Sequence, residues 1–133
     1  MGESAESVVR RFLSAWSDPR GEELANFFNE DAIWVDGPQG VRRGAKTIVD
    51  VLVSQLTVSR GMVIEVDTLV AAGETVMVEW HGQWTIHGKP VLAKVMAAFE
   101  IDLNGRINEM RECYDRQSVD DQIEAARSGA REG

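Results

Sequence analysis

The stretch "TVMVEWHGQWTI", residues 75 to 86, decides the fold because apolar side chains occupy every second position along it. Successive side chains of a strand point to opposite faces of a sheet, so this period of two predicts a long strand with one covered face and one open face. The open face includes His81, which predicts a surface or interface histidine rather than a catalytic one. The predicted covered face carries Val76, Val78, Trp80, Gly82, Trp84 and Ile86.

Three further β-rich runs surround this strand, at residues 62–70, 90–102 and 106–115. The short segments between the four runs, "AAGE", "HGK" and "LNG", each contain a glycine, which supplies the positive backbone angles that tight hairpins need. The second half of the chain is therefore predicted to form an antiparallel meander.

The residues before the meander predict helices. Apolar residues recur every three or four positions from Ser4 to Trp16, with Ser4 as the cap, and similar spacing marks residues 22–28 and 45–56. Between the second and third helices, "AIWVD" predicts a short strand that ends at Asp36 and pairs at an edge of the sheet.

These elements predict a single α+β domain over residues 1–133, with three N-terminal helices packed on a curved antiparallel or mixed β-sheet. The tail, residues 119–133, is expected to add one or two helical turns and then fray.

Composition narrows the classes of function. The 22 acidic and 14 basic residues give a formal charge of −8, and the scattered basic residues argue against a nucleic-acid partner. The single Cys113 excludes an intramolecular disulfide and a multi-cysteine metal site. The start of the chain has no cationic stretch and no long apolar run, so we expect a cytoplasmic protein without a membrane partner.

Small residues on the covered face indicate either a pocket or space filled by the helices. Ala93 and Ala97 lie in the middle of the third long strand, and Gly82 lies between two tryptophans on its neighbour. Bulky side chains from the helices could equally fill this space, with Phe12, Trp16 and Phe28 as the candidates.

Two carboxylates fall on the face that should be apolar. Glu112 shares a strand face with Met110 and Tyr114, and Asp36 shares one with Trp34. Burying a carboxylate is costly unless it is neutralised or hydrogen-bonded, and two in one apolar space suit proton transfer. The alternatives are a turn aspartate before a Gly-Pro pair, and a glutamate at the rim paired with Arg10, Arg11 or another arginine.

The segments "RFLSAW", "ELANFFNEDAIWVDGPQGVRRGAKTIVDVL", "VEWHGQW" and "AAFEIDLNGRINEMRECYD" resemble the nuclear transport factor two-like superfold over residues 6–118. They are most similar to its SnoaL-like, ketosteroid-isomerase-like and limonene-epoxide-hydrolase-like members. The resemblance implies a conical pocket between helices and sheet, and a homodimer through the outer sheet face, which carries Met77, Lys94 and Met96.

By resemblance, Asp36 falls where ketosteroid isomerases hold their general-base aspartate. The two oxyanion-donor positions of that family correspond to Phe12 and Ala97, neither of which can donate a hydrogen bond. Glu112 falls on an acidic position of the limonene epoxide hydrolases. Their arginine–aspartate pair corresponds to Trp80 and Gly82, and their water-holding tyrosine and asparagine correspond to Trp34 and Asp36.

The main hypothesis is an enzyme of the isomerase, cyclase or epoxide hydrolase type that acts on a small apolar molecule. Asp36 would be the base and Glu112 the acid, and no metal or organic cofactor is implied. The alternatives are a non-catalytic protein that binds an apolar ligand and a dimeric interaction module. The predicted substrate-binding residues are Trp34, Trp80, Trp84, Tyr114, Met110 and Phe12.

Overall fold

A computed structural model of the chain describes residues 3–132, with side chains described through residue 128. The described residues form four α-helices and six strands. The helices are α1 (Ala5–Ser14), α2 (Gly21–Ala25), α3 (Ala45–Val58) and α4 (Arg116–Glu132). The strands are β1 (Phe28–Asp36), β2 (Gly40–Arg43), β3 (Val63–Ala72), β4 (Thr75–Ile86), β5 (Lys89–Ile101) and β6 (Ile107–Tyr114). Along the chain they follow the order α1-α2-β1-β2-α3-β3-β4-β5-β6-α4.

The strands form one mixed sheet in the order β2-β1-β6-β5-β4-β3. Strands β3 to β6 form the predicted antiparallel meander, and β1 adds to it in parallel with β6. The edge beside β1 is occupied by β2, which pairs antiparallel with β1 and was expected to be a loop. A four-residue strand is too short for alternation to distinguish it from a loop.

The predicted cap and first helix are confirmed. The hydroxyl oxygen of Ser4 accepts a hydrogen bond from the Ser7 backbone N–H at 3.2 Å, which satisfies one free donor of the first turn of α1. The buried face of this helix packs Phe12 edge-on against the rings of Trp16, Phe28 and Phe99, with centroids 5.4 to 6.0 Å apart. These ring contacts join α1 to the covered face of the sheet.

The prediction of three helices and a frayed tail is wrong. Residues 116–132 form the 17-residue helix α4, while residue 133 lies outside the described part of the chain. Val119 and Ile123 pack against the core and Ala126 is buried, so this helix has an apolar stripe at helical spacing. No helix among the described residues is both long and apolar enough to cross a membrane.

The predicted division of β4 into two faces is confirmed. Val76, Val78, Trp80 and Trp84 are at most 8% exposed, whereas Met77 on the opposite face is 54% exposed. His81 lies on the open face, where its Nδ1 is 2.8 Å from Asp67 and its Nε2 is 3.3 Å from Glu65. The helices therefore cover one side of the sheet, and the core and the candidate site both lie on that side.

Candidate active site

The two predicted carboxylates lie next to each other inside the fold. Parallel pairing of β1 with β6 places Asp36 directly opposite Glu112, on the face covered by the helices. The two residues are the buried charged residues of the described chain, at 1% and 6% exposure. The pairing of β1 with β6, rather than with a strand earlier in the meander, is what brings them together.

Gly37 allows the chain to turn immediately after Asp36. Its φ is +30°, which disfavours other residues, and a Cβ added there would lie 2.6 Å from the backbone oxygen of Glu112. The "DGP" sequence therefore does mark a turn. The turn also seats Asp36 against β6, so the interpretation of Asp36 as a turn residue and its position in a pocket are both correct.

Two side chains donate hydrogen bonds to the same oxygen of Asp36. Nη2 of Arg42 on β2 is 3.2 Å from Oδ2, and Nε2 of Gln55 on α3 is 3.3 Å from it. The Arg42 side chain is 23% exposed, and its guanidinium carbon lies 5.5 Å from the ring centre of Trp34. Asp36 is therefore buried together with a cation and an amide donor, which offset the cost of removing a carboxylate from water.

Glu112 has the opposite surroundings. Its one side-chain hydrogen bond comes from the indole N–H of Trp34, at 2.7 Å from Oε1. Burial, followed by the charge of Asp36, raises the pKa of Glu112 to about 7, while the Trp34 hydrogen bond acts in the lowering direction. The alternative of a rim glutamate paired with Arg10 or Arg11 is wrong, because those arginines pair with Glu6 and Glu3.

A cavity of about 280 Å³ opens beside the two carboxylates. The prediction of a pocket is confirmed, but its origin is only partly as expected. Ala93 lines the cavity, whereas the space above Gly82 is filled by Met62, whose sulfur would lie 2.5 Å from a Cβ at that glycine. Trp16 from the N-terminal helical region forms part of the wall instead of filling the space.

Four of the six predicted substrate contacts line this cavity, namely Trp34, Trp80, Trp84 and Tyr114. The other two lie elsewhere: Phe12 and Met110 are fully buried in the core, and neither belongs to the described wall of this cavity. Phe12 is enclosed by aromatic rings. The alternation of residues along a strand therefore identified side chains that face inward, but it did not distinguish those in the core from those that line the cavity.

Several site residues were missed by the sequence analysis. Arg42 was assigned to a loop, and only its pairing opposite Trp34 in the β1–β2 ladder shows that it reaches the site. Gln55 lies seven residues after Ile48 on the apolar face of α3, and this single polar position was a usable signal. Gln39 donates a hydrogen bond to the Tyr114 hydroxyl, and α4 adds Val119 and Ile123 to the wall.

Burial raises the pKa of the Tyr114 phenol, and the charges of Asp36 and Glu112 act in the same direction. The hydrogen bond from Gln39 acts in the lowering direction. The phenol therefore stays neutral at physiological pH and can donate a hydrogen bond at the end of the cavity that holds the carboxylates.

The fold and the site together define a class of protein: an α+β domain with a six-stranded mixed sheet, whose apolar cavity is bordered by a pair of buried carboxylates. The SnoaL-like domain family matches residues 9–110 of the sequence, so the chain belongs to that family, within the nuclear transport factor two-like superfamily. No curated protein sequence matches the chain.

Solved structures share the fold at low sequence identity. A SnoaL-like polyketide cyclase from Shewanella putrefaciens CN-32 is 18% identical, with a TM-score of 0.80 over 91% of this chain and 86% of the other. An LEH-like epoxide hydrolase from M. tuberculosis is 20% identical, with a TM-score of 0.77 over 95% and 93%.

A third similar structure is SalBIII, an epoxide hydrolase/cyclase-like enzyme described as acting in pyran ring formation in polyether salinomycin. It is 20% identical, with a TM-score of 0.75 over 86% of this chain and 92% of that one. These similarities concern the fold, and the chemistry of this chain has to be argued from its own residues.

Proposed function

We propose that the protein is an acid–base enzyme that opens a small apolar epoxide, with water or with a hydroxyl group of the substrate itself as the nucleophile. The observation that carries the proposal is the pair of buried carboxylates in unlike surroundings. Asp36 has a cationic partner and an amide donor, whereas Glu112 has one indole donor and a pKa raised to about 7. Such a pair supplies a base and an acid at the same pH.

In the proposed reaction Glu112 gives its proton to the epoxide oxygen as the carbon–oxygen bond breaks. Asp36 removes the proton from the attacking water or hydroxyl as the new carbon–oxygen bond forms. The product is a diol or a cyclic ether with a hydroxyl group, and no electrons enter or leave. Transfer of a proton from Asp36 back to Glu112, its partner across the β1–β6 ladder, restores the starting state.

Epoxide opening fits this chain better than enone isomerisation. An enolate intermediate needs strong hydrogen-bond donors at its oxygen, and the two donor positions of ketosteroid isomerases correspond to Phe12 and Ala97. Phe12 is also packed inside the aromatic core, away from the cavity. Two of the solved structures that share this fold are described as epoxide hydrolases or epoxide hydrolase/cyclase-like enzymes, which supports the same choice.

The first experiment is turnover of a panel of small epoxides and unsaturated ketones in water labelled with oxygen-18 or deuterium. We expect oxygen-18 in diol products from the native protein, and loss of turnover by at least about 100-fold in Asp36→Asn and in Glu112→Gln. The matched control is Asp50→Asn, which removes an exposed carboxylate of α3 that pairs with Lys46.

Three outcomes distinguish the alternatives. Deuterium incorporation into an enone would identify an isomerase and contradict epoxide opening. Saturable binding of a hydrophobic dye, displaced by panel compounds that are never turned over, would identify a non-catalytic binding protein. Turnover that survives both carboxylate changes would contradict the acid–base mechanism.

We also propose that the protein forms a homodimer through the open face of the sheet. Val70, Met77 and Met96 are 59%, 54% and 61% exposed there and surround a shallow groove of about 970 Å³. Large apolar side chains grouped on one face are typical of a surface that another protein covers. A second copy is the partner that the resemblance to the superfold implies.

A further inference from the structure

We propose that Arg42 is a positioning residue of this site: it holds the Asp36 carboxylate in a buried ion pair and, through Trp34, holds Glu112 in place. The proposal rests on the acid–base function proposed above. It goes further by saying what makes two neighbouring carboxylates unlike each other, and it places that determinant on the edge strand β2.

The first contact that carries the proposal is the ion pair with Asp36. Nη2 of Arg42 lies 3.2 Å from Oδ2 of Asp36, and the carboxylate side chain is 2% exposed. Water therefore screens this pair less than it screens an ion pair at the surface, so the attraction between the two side chains is stronger. Glu112, across the ladder, has no such cation among the contacts in the described structure.

The second contact runs through Trp34. Arg42 stands directly opposite Trp34 in the β1–β2 ladder, and its guanidinium carbon is 5.5 Å from the indole centroid. The same indole donates its N–H to Oε1 of Glu112 at 2.7 Å. A guanidinium above an aromatic ring favours one orientation of that ring, so Arg42 also determines where the Glu112 carboxyl is held.

Arg42 acts through these neighbours and not on the substrate. The described residues that line the cavity include Trp34, Asp36 and Glu112 but not Arg42. Its Nε is buried and has no hydrogen-bond partner in the part of the chain that the structure describes. The guanidinium is thus held by one hydrogen bond and one ring contact, both made to residues of the cavity wall.

The pH dependence of the pair involves a small set of charged and titratable groups. They are Asp36 on β1, Arg42 on β2, Glu112 and Tyr114 on β6, and Arg116 at the start of α4, which acts on Tyr114. The neighbouring helix α3 contributes the uncharged Gln55. Arg42 is the one cation of this set in contact with the carboxylate pair, so its removal should increase the affinity of the pair for protons.

The test compares Arg42→Met, Arg42→Lys and Arg43→Met in substrate-free protein. Arg43 is the matched control because it is the next residue of β2 and is exposed. Carbon-13 NMR of labelled glutamate carboxyls reports the upper titration of the pair, with the Glu112 signal assigned from its absence in Glu112→Gln. We expect an upward shift of about one pH unit in Arg42→Met, a smaller shift in Arg42→Lys and none in Arg43→Met.

Kinetics on the best epoxide of the panel provide the second readout. For Arg42→Met we expect kcat to fall about 10- to 100-fold while KM stays within about twofold, because the missing side chain does not contact the substrate. Arg42→Lys should recover part of kcat. If Arg42→Met does not fold, Arg42→Gln removes the same charge and keeps a planar hydrogen-bonding group.

An unchanged titration in the charge-removing variant would overturn the proposal. It would also be overturned by a shifted titration with unchanged kcat, or by a change confined to KM, which would make Arg42 a binding residue. If the native protein turns over no compound of the panel, the acid–base function fails. The titration then still decides whether Arg42 controls the carboxylate pair.

Discussion

At the scale of single residues, the site depends on how differently the protein treats two carboxylates in neighbouring strands. Asp36 receives hydrogen bonds from Arg42 and Gln55, whereas Glu112 receives one from Trp34 and is otherwise desolvated. The pKa of Glu112 therefore reports on both of its neighbours: the charge of Asp36 raises it, and the Trp34 hydrogen bond lowers it.

Two substitutions should move the pKa of Glu112 in opposite directions. Asp36→Asn removes the neighbouring negative charge and should lower it from about 7, whereas Trp34→Phe removes the hydrogen bond to the carboxylate and should raise it. Carbon-13 NMR of the Glu112 carboxyl measures both shifts without substrate. A shift in the same direction in both variants would contradict this account of the site.

Glu112 should also make the free energy of unfolding depend on pH. Folding raises the pKa of Glu112 from 4.5 to about 7, so between these two pH values the folded protein binds more protons than the unfolded chain. The free energy of unfolding therefore falls as pH rises through about 7. The native protein loses this stability at high pH and Glu112→Gln does not. The free energy of unfolding of the variant minus that of the native protein should therefore be higher at pH 8 than at pH 4, by roughly 3 kcal/mol.

Urea unfolding at the two pH values measures this difference. Glu109→Gln is the control, because Glu109 lies on the opposite face of β6 and pairs with Arg111. An equal stability difference at both pH values would show that Glu112 is not buried as the structure has it.

At the scale of elements, α4 closes the side of the cavity that the sheet leaves open. Strand β5 begins at Lys89 but pairs with β6 only from Val95 onward, so its first residues lack that neighbour. The side-chain amide of Gln122 on α4 takes this place: it accepts from the Leu92 N–H at 2.8 Å and donates to the Leu92 carbonyl at 2.9 Å. The Gln122 side chain thus makes the two backbone hydrogen bonds that a neighbouring strand would make, and it connects α4 to β5.

Replacing Gln122 by alanine should loosen α4 and weaken ligand binding. Two hydrogen bonds to the backbone are lost and the Leu92 groups are left without partners, which costs about 1 to 3 kcal/mol. We expect faster hydrogen exchange at Leu92 and weaker binding of a hydrophobic dye, since Val119 and Ile123 of α4 line the cavity. Gln117→Ala is the control, because Gln117 is exposed and bonds only within the helix, to Asp121.

Elements with a clear period could be predicted from the sequence, and elements fixed by tertiary pairing could not. The alternation in β4 and β6 correctly placed Trp80 and Glu112 on the covered face. In contrast, β2 is recognisable only through its partner β1, and α4 has a mostly polar sequence whose apolar stripe is narrow.

The same distinction applies to the site. Asp36 and Glu112 could be predicted because a carboxylate interrupts an apolar face, and the structure brings the two together. Arg42 could not, because its role depends on the ladder between β1 and β2. Phe12 and Met110 were expected beside the cavity but lie in the core, because the sequence does not show which inward-facing side chains border empty space.

At the scale of the whole molecule, the two sides of the sheet differ in what covers them. The helices cover one side, which contains the core and the cavity, while the other side exposes apolar side chains around its groove. With a formal charge of −8, the molecule as a whole disfavours self-association, so a dimer has to rely on this apolar surface.

Met96→Glu should therefore dissociate the proposed dimer. Met96 is 61% exposed in the isolated chain, and a dimer formed through this face would remove a carboxylate there from water, which is costly. Sedimentation velocity should show a dimer for the native protein and a monomer for this variant. Leu103→Glu is the control: Leu103 is 90% exposed but lies outside the strands. A native protein that is monomeric at high concentration would contradict the proposal.

The wall that α4 gives to the cavity has a consequence for engineering. Val119 and Ile123 border the cavity from a helix at the end of the chain, whereas Asp36 and Glu112 are fixed by two central strands and by a glycine that tolerates no side chain. A mutant library confined to these two helical positions would remodel the shape of the cavity while leaving the two carboxylates untouched. Under the proposed function, selectivity in this scaffold can therefore be evolved separately from reactivity.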